Sequence, residues 1–269
     1  IIKGASKMSM RFGLIGNNIS YSKTPKIHQY MSHKLHIDIT YDLLDVEAAE
    51  LPKLIEQLRQ GYYQGFNVTT PYKEAIISYL DDISYRAKSI QAVNTIYYQD
   101  GMVKGENTDY DGFVGVLKTH QIDVKSKNVY VLGTGGAAKA IYHALCDLGA
   151  HVTMVSRNKK DKEKEFEHVI EYRDLNPNSV DLYIQATPVG TFPNVNASVL
   201  TKEEVKGKTV IDLVYNPSVT QIMKDSKKGV GGINMLIIQA LKCEEIWFER
   251  EIELTNKLIS ELKGVIFDE

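Results

Sequence analysis

The sequence predicts an α/β protein that contains parallel sheets and divides into two domains. Short apolar runs of strand length alternate with segments of helical periodicity along the whole chain, which is typical of βαβ units. The length of 269 residues suits one large domain or two ordinary ones. Hydrophobic residues make up 43% and charged residues 25%, a composition typical of a globular protein with a sizeable core.

The first half of the chain alternates between strand and helix patterns. Thr24-Pro25 predicts a helix start, with Thr24 as N-cap and proline at the first helical position, and apolar residues follow at helical spacing. Asp100-Gly101 lies between two strand patterns and predicts a two-residue hairpin turn. In order, we predict a strand at 11–16, the helix from Thr24, a strand at 40–46, a helix at 48–60, a strand at 65–69, a helix at 71–80 and hairpin strands at 93–98 and 102–106.

The second half alternates more regularly. It begins with a helix after Asp109, where we place the join between the domains. Further along, we predict strands at 128–132, 151–156, 181–186 and 209–214, and helices at 135–148, 235–247 and 252–262. Strands that alternate with helices in this way imply a parallel sheet.

Charge and composition exclude several classes of function. The formal net charge of −2 would not recruit nucleic acid or an anionic membrane, and the basic loop at 157–164 is short and lacks interleaved aromatics. No apolar run approaches the roughly 18 residues of a membrane span. Cys146 and Cys243 are too few for a disulfide framework, so we expect a reducing cytoplasm, and both lie in helical patterns typical of core positions.

The two cysteines form no metal-spaced pair and the seven histidines form no H-E-x-x-H pattern, so no metal is expected. Residues 1–9 lack the apolar core of a signal peptide. We interpret them as a remnant of expression and expect the native start at Met8 or Met10.

A glycine-rich turn follows the predicted strand at 128–132. The segment G-T-G-G-A-A at 133–138 is a variant of the dinucleotide-binding fingerprint. Gly133 would allow a tight turn, Gly135 would let the backbone approach a pyrophosphate, and the following helix would direct N–H groups at phosphate. Ala138 is small enough for close packing of helix on strand. An ordinary glycine-rich turn is the alternative, and the strand and helix context favours a Rossmann-type domain.

The end of the next predicted strand favours NADP over NAD. NAD sites place an acidic residue there to bind the ribose 2′-hydroxyl group. Here the strand runs into S-R-N-K-K at 156–160, which contains no acid. The guanidinium group of Arg157 suits a 2′-phosphate through bidentate pairing, whereas Lys159 and Lys160 are explained equally well as a solvated loop.

Polar residues cluster where the predicted strands of the first half end, which is where open α/β sheets bind ligands. Ser20 and Ser22 exceed what helix capping by Thr24 requires, and they suit hydrogen bonds to a carboxylate or a polyol. Asn67 and Asn94 also suit turns.

Lys73 is a candidate proton donor for the reduction of a carbonyl group. With Thr70 as N-cap, Lys73 would lie in the first turn of the helix at 71–80, where the helix dipole eases loss of its proton. Asp109 is a candidate for orienting Lys73. From local sequence alone, a solvated surface charge is the more common explanation of a lone lysine.

Eight motifs in order resemble those of the shikimate dehydrogenases, an NADP-linked family of aromatic amino-acid biosynthesis, and they cover nearly the whole chain from about Met10. They are S-x-S-x-T-P at 20–25, N-V-T-x-P-x-K at 67–73, A-V-N-T at 92–95, N-T-D at 107–109, G-x-G-G-A at 133–137, A-T-P-x-G at 186–190, D-x-x-Y-x-P at 212–217 and G-x-x-M-L-x-x-Q at 232–239. Each motif is weak alone, but their order makes the resemblance specific.

The resemblance implies a discontinuous substrate domain, at 10–108 and 236–269, and a Rossmann-type NADP-binding domain at 109–235. It implies reversible reduction of 3-dehydroshikimate to shikimate by NADPH, with Lys73 and Asp109 as the catalytic pair. The implied substrate-binding residues are Ser20, Ser22, Asn67, Thr69, Asn94, Tyr215 and Gln239. The implied cofactor-binding residues are Gly133, Thr134, Gly135, Gly136, Ala137, Ser156, Arg157, Thr187, Val214 and Gly232.

The chain departs from the family pattern at Asn18, Ser156, Gln185 and Asn234, and none of these removes a group that the reaction needs. One alternative is a paralogue related to quinate/shikimate dehydrogenases. The other is an NADP-binding regulator without catalysis, against which the presence of Lys73 and Asp109 argues. We expect a small-molecule substrate as the partner, and a monomer or homodimer.

Overall fold

The computed structural model describes residues 9–267, which form two compact units. The first unit combines the chain up to Thr108 with the segment from Gln239 onward, and the second runs from Asp109 to Ile238. The domain limits expected from the sequence lie at 109 and 236. We interpret residues 1–9 as a remnant of expression, and all of them except Ser9 lie outside the described range.

The helices and strands follow one another in the predicted alternation. In chain order they are β1 (Met10–Gly16), α1 (Thr24–Leu35), β2 (Ile39–Asp45), α2 (Leu51–Arg59), β3 (Gly65–Val68), β4 (Asp82–Ile83), α3 (Tyr85–Ile90), β5 (Thr95–Gln99), β6 (Met102–Glu106), α4 (Asp109–Thr119), β7 (Asn128–Leu132), α5 (Gly136–Asp147), β8 (His151–Ser156), β9 (Val169–Glu171), β10 (Leu182–Gln185), α6 (Lys202–Val205), β11 (Thr209–Asp212), α7 (Gln221–Asp225), β12 (Lys228–Gly231), α8 (Ile233–Phe248) and α9 (Asn256–Phe267).

The first unit contains a mixed sheet whose described strands lie in the order β2-β1-β3-β5-β6-β4. β1 runs parallel to β2 and β3, whereas β5 is antiparallel to β3 and β6. The hairpin prediction is confirmed, because Asp100 and Gly101 have φ values of 55° and 79°, as the two-residue turn requires. Ile15 lies opposite both Leu44 and Val68. The loops after β1, β2 and β3 therefore leave the sheet at one edge.

Helix α8 packs closely on the strands of the first unit. The ring of Trp247 stacks on Phe12 with 4.5 Å between centroids, and its Nε1–H donates to the carbonyl oxygen of Ile96 at 3.1 Å. An added Cβ at Gly65 would lie 2.5 Å from Nε1 of Trp247, so this glycine permits the approach. The approach holds the part of α8 that begins at Gln239 against this sheet.

The helix predicted at 71–80 is wrong. The only helical segment within this stretch of the described chain is a 3₁₀ helix at Ala75–Tyr79, and Thr70 is not an N-cap. The carbonyl oxygen of Lys73 accepts the N–H of Val93 at 2.8 Å, so it does not form the hydrogen bond that an α-helix would require of it. Lys73 lies in a turn, and the argument from a helix dipole does not apply to it.

The start of α1 differs from the prediction by one position. Thr24 is the first helical residue and Lys23 is the N-cap, so Thr24 is not the capping residue. Instead, the Oγ of Ser22 accepts the N–H of Thr24 at 3.3 Å. The elements that were not predicted are short, because segments of two to six residues do not show periodicity; they are β4, α3, β9, α6, α7 and β12.

The second unit is a Rossmann-type domain, as predicted. Its described strands lie in the order β12-β11-β10-β7-β8-β9, and all neighbours are parallel. Numbered within the unit, this order is 6-5-4-1-2-3, which is the doubly wound order seen from the other edge. The chain changes direction across the sheet between β7 and β10, which is the switch point where such folds bind ligands.

The two cysteines have different environments. Cys243 is buried, which confirms its predicted core position. Cys146 is exposed on α5, so its predicted core position is wrong. In the part of the chain that the structure describes, no helix is long and apolar enough to cross a bilayer.

Candidate functional site

The turn between β7 and α5 has the geometry of an anion-binding turn. Gly133 has a φ of 111°, and an added Cβ would lie 3.0 Å from the carbonyl oxygen of Ala186, so only glycine fits there. Gly135 is the N-cap of α5, and an added Cβ at this position would meet no protein atom within 4 Å. Ala138 is fully buried, in line with the close packing expected from its size. The free N–H groups of the first turn of α5 therefore lie beside open space.

The predicted cofactor residues share one edge of this sheet. Leu132 lies opposite both Val155 and Gln185, and Asp212 lies opposite Gly231, so the carboxyl ends of these strands are level. The residues are Gly133, Thr134, Gly135, Gly136 and Ala137 after β7, Ser156 and Arg157 at the end of β8, Thr187 after β10, Val214 after β11 and Gly232 after β12. Ligands of doubly wound sheets bind at this edge.

Ser156 closes the turn that presents Arg157. Its hydroxyl group donates to the carbonyl oxygen of Asn158 at 3.0 Å and accepts the N–H of the same residue at 3.2 Å. Arg157 is exposed. Burial raises the pKa of Tyr172, and the charge of Arg157 opposes this rise. Arg157 is thus a cation at the end of β8.

Gln185 organises the loop that contains Thr187. Its Oε1 accepts both the N–H of Thr187 (3.0 Å) and the hydroxyl group of Thr187 (2.9 Å). Its Nε2 donates to the carbonyl oxygen of Val189 at 2.9 Å. The departure from the family pattern at this position therefore retains an amide that fixes the loop.

Asp212 ends β11 and is fully buried. Its Oδ1 accepts the N–H of Val214 at 2.9 Å, and its Oδ2 accepts the hydroxyl group of Thr220 at 2.5 Å. Burial raises its pKa to about 6, and the two hydrogen bonds oppose the rise. The carboxyl group thereby holds Val214 and the following Tyr215, which is partly buried, in place.

In the first unit, the loop after β1 contains Ser20 and Ser22. The carboxylate of Asp45 accepts the N–H of Asn18 at 2.8 Å and that of Ile19 at 3.3 Å. Asn18 has a φ of 57°, which asparagine tolerates in a turn, so this departure from the family pattern has a structural explanation. The anchored turn leaves Ser20 exposed and Ser22 partly buried.

The two candidate catalytic residues belong to different units. Lys73 is partly buried in the turn after β3, which begins where the N–H of Thr69 donates to the carbonyl oxygen of Ile15 at 2.9 Å. Asp109 is the first residue of α4 and of the second unit, and it is 5% exposed. Backbone hydrogen bonds fix the turn that contains Lys73, and the start of α4 fixes the position of Asp109.

Asn94 forms hydrogen bonds with three polar residues of the first unit. Its Oδ1 accepts the N–H of Thr108 at 2.8 Å, and its Nδ2 donates to Oε1 of Gln239 at 3.4 Å. Asn67 donates through Nδ2 to the carbonyl oxygen of Asn94 at 3.4 Å. The structure therefore brings Asn67, Asn94 and Gln239 together.

The sequence interpretation missed the buried polar groups behind these residues. His28 and Glu244 are 0% exposed and contact each other, and the hydroxyl group of Tyr41 contacts Asn67. A carboxylate within the apolar helix pattern of α8 was a signal that could have been noticed. Its partner on α1 could not be read from local spacing.

Comparisons with known proteins agree with this geometry. The model of the shikimate dehydrogenase substrate binding domain matches residues 14–96. A Clostridium beijerinckii protein named shikimate dehydrogenase (NADP(+)) is 40% identical over 268 residues, which is 96% of this chain and 98% of the relative.

Two solved structures extend the comparison. Shikimate 5-dehydrogenase from Thermus thermophilus, in complex with NADP(H) and shikimate, has a TM-score of 0.86 and 28% identity, covering 96% of this chain and 99% of that one. The ligand-free 5-ketofructose reductase of a Gluconobacter strain has a TM-score of 0.81 and 29% identity, covering 98% and 99%. With 40% identity to a curated relative over nearly its full length, the chain belongs to the shikimate dehydrogenase family.

Proposed function

We propose that this chain catalyses the reversible reduction of 3-dehydroshikimate to shikimate with NADPH, a step of aromatic amino-acid biosynthesis. The observation that carries the proposal is that the similarity to a relative named shikimate dehydrogenase (NADP(+)) spans both units. One chain thus contains both the dinucleotide-type turn and the polar residues expected to bind the substrate.

The second unit fits NADP. The open space beside Gly135 leaves room for a pyrophosphate, and Gly133, Thr134, Gly136 and Ala137 complete the turn around it. The exposed Arg157, on the turn closed by Ser156, suits the 2′-phosphate. Thr187, Val214 and Gly232 are the proposed contacts of the nicotinamide end. NADPH supplies the hydride when it is bound.

The first unit supplies most of the proposed substrate contacts. The hydroxyl groups of Ser20, Ser22 and Thr69 and the amides of Asn94 and Gln239 suit a carboxylate and ring hydroxyl groups. Asn67 lies behind Asn94, and Tyr215 is proposed as a further contact. These are neutral hydrogen-bonding groups, which orient a polyhydroxylated acid through geometry more than through charge.

Lys73 is the proposed acid. As the carbonyl carbon receives hydride, negative charge develops on its oxygen, and the Lys73 ammonium group would stabilise and then protonate that oxygen. In the direction of oxidation, neutral Lys73 would accept the proton of the hydroxyl group. Asp109 is the proposed carboxylate partner that orients Lys73.

The remaining expectations follow from this activity. A small-molecule enzyme of biosynthesis is proposed to work in the cytoplasm, as a monomer or homodimer. The proposed domains are 10–108 with 236–269 for the substrate and 109–235 for NADP.

The test is oxidation of shikimate and of quinate, each with NADP and with NAD, followed at the nicotinamide absorbance. Turnover confined to shikimate with NADP is expected. Comparable quinate or NAD turnover would indicate the quinate/shikimate-dehydrogenase-like paralogue. A fifth assay offers 5-ketofructose with NADPH, because one similar structure is named for that reaction. Inactivity in every assay, with NADP still bound, would indicate the regulator.

A further inference from the structure

A chain of buried polar groups connects α1 to α8 within the first unit. His28 and Glu244 are each 0% exposed, and Nδ1 of His28 lies 2.8 Å from Oε1 of Glu244. Nε2 of His28 lies 3.1 Å from Oδ1 of Asn67. The hydroxyl group of Tyr41 donates to the same Oδ1 at 2.7 Å. Two groups therefore converge on the amide oxygen of one predicted substrate-site residue.

The hydrogen-bond pattern determines which nitrogen of His28 carries a proton. The Nδ2 of Asn67 donates to the carbonyl oxygen of Asn94 and, at 2.9 Å, to Sγ of Cys243, so Oδ1 is the accepting end of this amide. An amide oxygen cannot donate, and Nε2 of His28 must therefore be the protonated partner. Burial raises the pKa of Tyr41 well above its ordinary value, which keeps the second partner a donor as well.

Glu244 sets the other side of the imidazole ring. If the carboxyl group of Glu244 is protonated, it donates a hydrogen bond to Nδ1 of His28. If it is a carboxylate, it accepts a hydrogen bond from Nδ1–H. Burial raises the pKa of Glu244 and the contact with His28 opposes that rise. Both arrangements leave Nε2–H directed at Asn67.

Asn67 in turn donates to the main chain of Asn94 and to Cys243, which are linked to Gln239. Its partner Asn94 donates through Nδ2 to Oε1 of Gln239 at 3.4 Å. Its other partner, Cys243, lies one helical turn after Gln239 and donates through Sγ to the carbonyl oxygen of that residue at 3.0 Å. The Asn67 amide therefore holds the main chain of Asn94 directly and that of Gln239 through Cys243, and these two residues carry amides proposed to bind the substrate.

Stability alone does not account for this pair. Oε2 of Glu244 is buried without a hydrogen-bond partner among the described residues, so the carboxyl group serves His28 alone. Removing ionisable groups from water is unfavourable, and replacing a buried pair with apolar residues is often neutral or stabilising. The pair is better explained by the geometry that it fixes.

We propose that His28, held by Glu244, is a positioning residue for the substrate, because it fixes the amide of Asn67 and, through it, the main-chain positions from which the side chains of Asn94 and Gln239 extend. The inference rests on the proposed function. His28 and Glu244 are buried behind the proposed substrate contacts of the first unit, so their loss affects recognition of shikimate and leaves recognition of NADP unchanged.

Three variants test the inference. His28→Phe keeps an aromatic ring between Tyr41 and Trp247, which lie 4.5 Å and 5.3 Å from it between centroids, but removes both ring nitrogens. Glu244→Leu removes the carboxyl group at similar volume. Glu244→Gln is the conservative variant, because its amide still donates to Nδ1. The matched control is Leu262→Ala, a fully buried residue of α9 outside this network.

We expect His28→Phe and Glu244→Leu to raise the KM for shikimate about tenfold, the effect of losing one hydrogen bond of about 1.4 kcal/mol, with kcat changed less and the KM for NADP unchanged. Glu244→Gln should restore a KM near that of the wild type. Leu262→Ala should lower the melting temperature without this selective change. A KM for shikimate that stays constant in His28→Phe, or rises equally in the control, would overturn the inference.

A measurement without substrate separates this inference from the proposed function. In ¹⁵N-histidine-labelled wild-type protein, the His28 signal, identified by its absence in His28→Phe, is expected to show a proton on Nε2 that Glu244→Leu disturbs. If His28→Phe fails to fold, Glu244→Leu and Glu244→Gln carry the kinetic comparison. Absence of shikimate turnover in the wild type would reject the proposed function, while a His28 ring unprotonated at Nε2 would reject the positioning role.

Discussion

Gly232 packs directly on the main chain of Leu213, where an added Cβ would lie 2.2 Å from the carbonyl oxygen. The obstacle is backbone, so it cannot rotate away as a side chain would. The N–H of Gly232 also donates to the carbonyl oxygen of Val214 at 3.4 Å. The ends of β11 and β12 are therefore held together at the edge where the nicotinamide end of NADP is proposed to bind.

Gly232→Ala is expected to destabilise the second unit by about 1–3 kcal/mol, the usual effect of overpacking, because the end of β11 must move. The same movement should weaken NADP binding, since Val214 shifts with it. Thermal unfolding and the KM for NADP measure the two effects. A variant with wild-type values of both would show that the two chain ends are less tightly coupled than this geometry requires.

Gly135→Ala is the matched glycine variant, and it is expected to weaken NADP binding with little loss of stability. The added Cβ would meet no protein atom within 4 Å, and the φ of −78° is open to any residue. The melting temperature should fall less than in Gly232→Ala, because alanine is a poorer N-cap than glycine by roughly 0.5–1 kcal/mol but meets no steric obstacle. The KM for NADP should rise at least tenfold, because the methyl group occupies the space proposed for the pyrophosphate. Unchanged NADP kinetics would place the pyrophosphate elsewhere.

Asp212 should make stability depend on pH between about 4 and 6. Its pKa is raised from 3.8 to about 6 in the folded protein, so in this window the folded state binds a proton that the unfolded state has released. The free energy of unfolding therefore falls as pH rises through the window, by up to about 3 kcal/mol, and stays level above it.

Asp212→Asn removes this titration and still presents an oxygen to the N–H of Val214. Denaturant unfolding of both proteins between pH 4 and pH 7 measures the difference. The wild type should lose stability relative to the variant as pH rises. Parallel curves would show that Asp212 titrates normally.

The sequence predicted what depends on local chemistry. The turn at Gly133 and the parallel sheet of the Rossmann-type domain were predictable, because a glycine-rich segment and the neighbouring strand and helix patterns are signals within about thirty residues. The motifs also included Asn67, Asn94 and Gln239 among the implied substrate-binding residues, and the structure brings these three together.

The features that were missed depend on contacts between distant segments. Lys73 does not lie in a helix, because its carbonyl oxygen bonds to Val93 of another segment. His28 and Glu244 are separated by 216 positions, so neither periodicity nor spacing could pair them. Cys146 and Cys243 have similar helical patterns, and only the packing of each helix decides which cysteine is exposed.

Arg157→Ala should discriminate between the two nicotinamide cofactors. The guanidinium group is exposed at the end of β8, where it would pair with the 2′-phosphate that only NADP carries. Loss of a charged hydrogen bond of about 1.5–3 kcal/mol should raise the KM for NADPH roughly 10- to 150-fold and leave that for NADH nearly unchanged. Lys160→Ala, an exposed lysine in the same loop, is the charge-matched control and should change either value little. Equal losses for NADPH and NADH in Arg157→Ala would argue against a 2′-phosphate contact.

Lys73→Ala should abolish most turnover with little effect on folding. Its side chain is partly buried and its backbone is fixed through Val93, so truncation leaves the turn in place while removing the proposed proton donor. A general acid contributes typically 10²- to 10⁴-fold, and kcat should fall by about that factor. Asp109→Asn should lower kcat in the same direction. Lys53→Ala, an exposed lysine of α2, is the control and should leave kcat unchanged. Because the melting temperature of Lys73→Ala should match that of the wild type, a stable variant with near-normal turnover would remove Lys73 from the chemistry and require another donor.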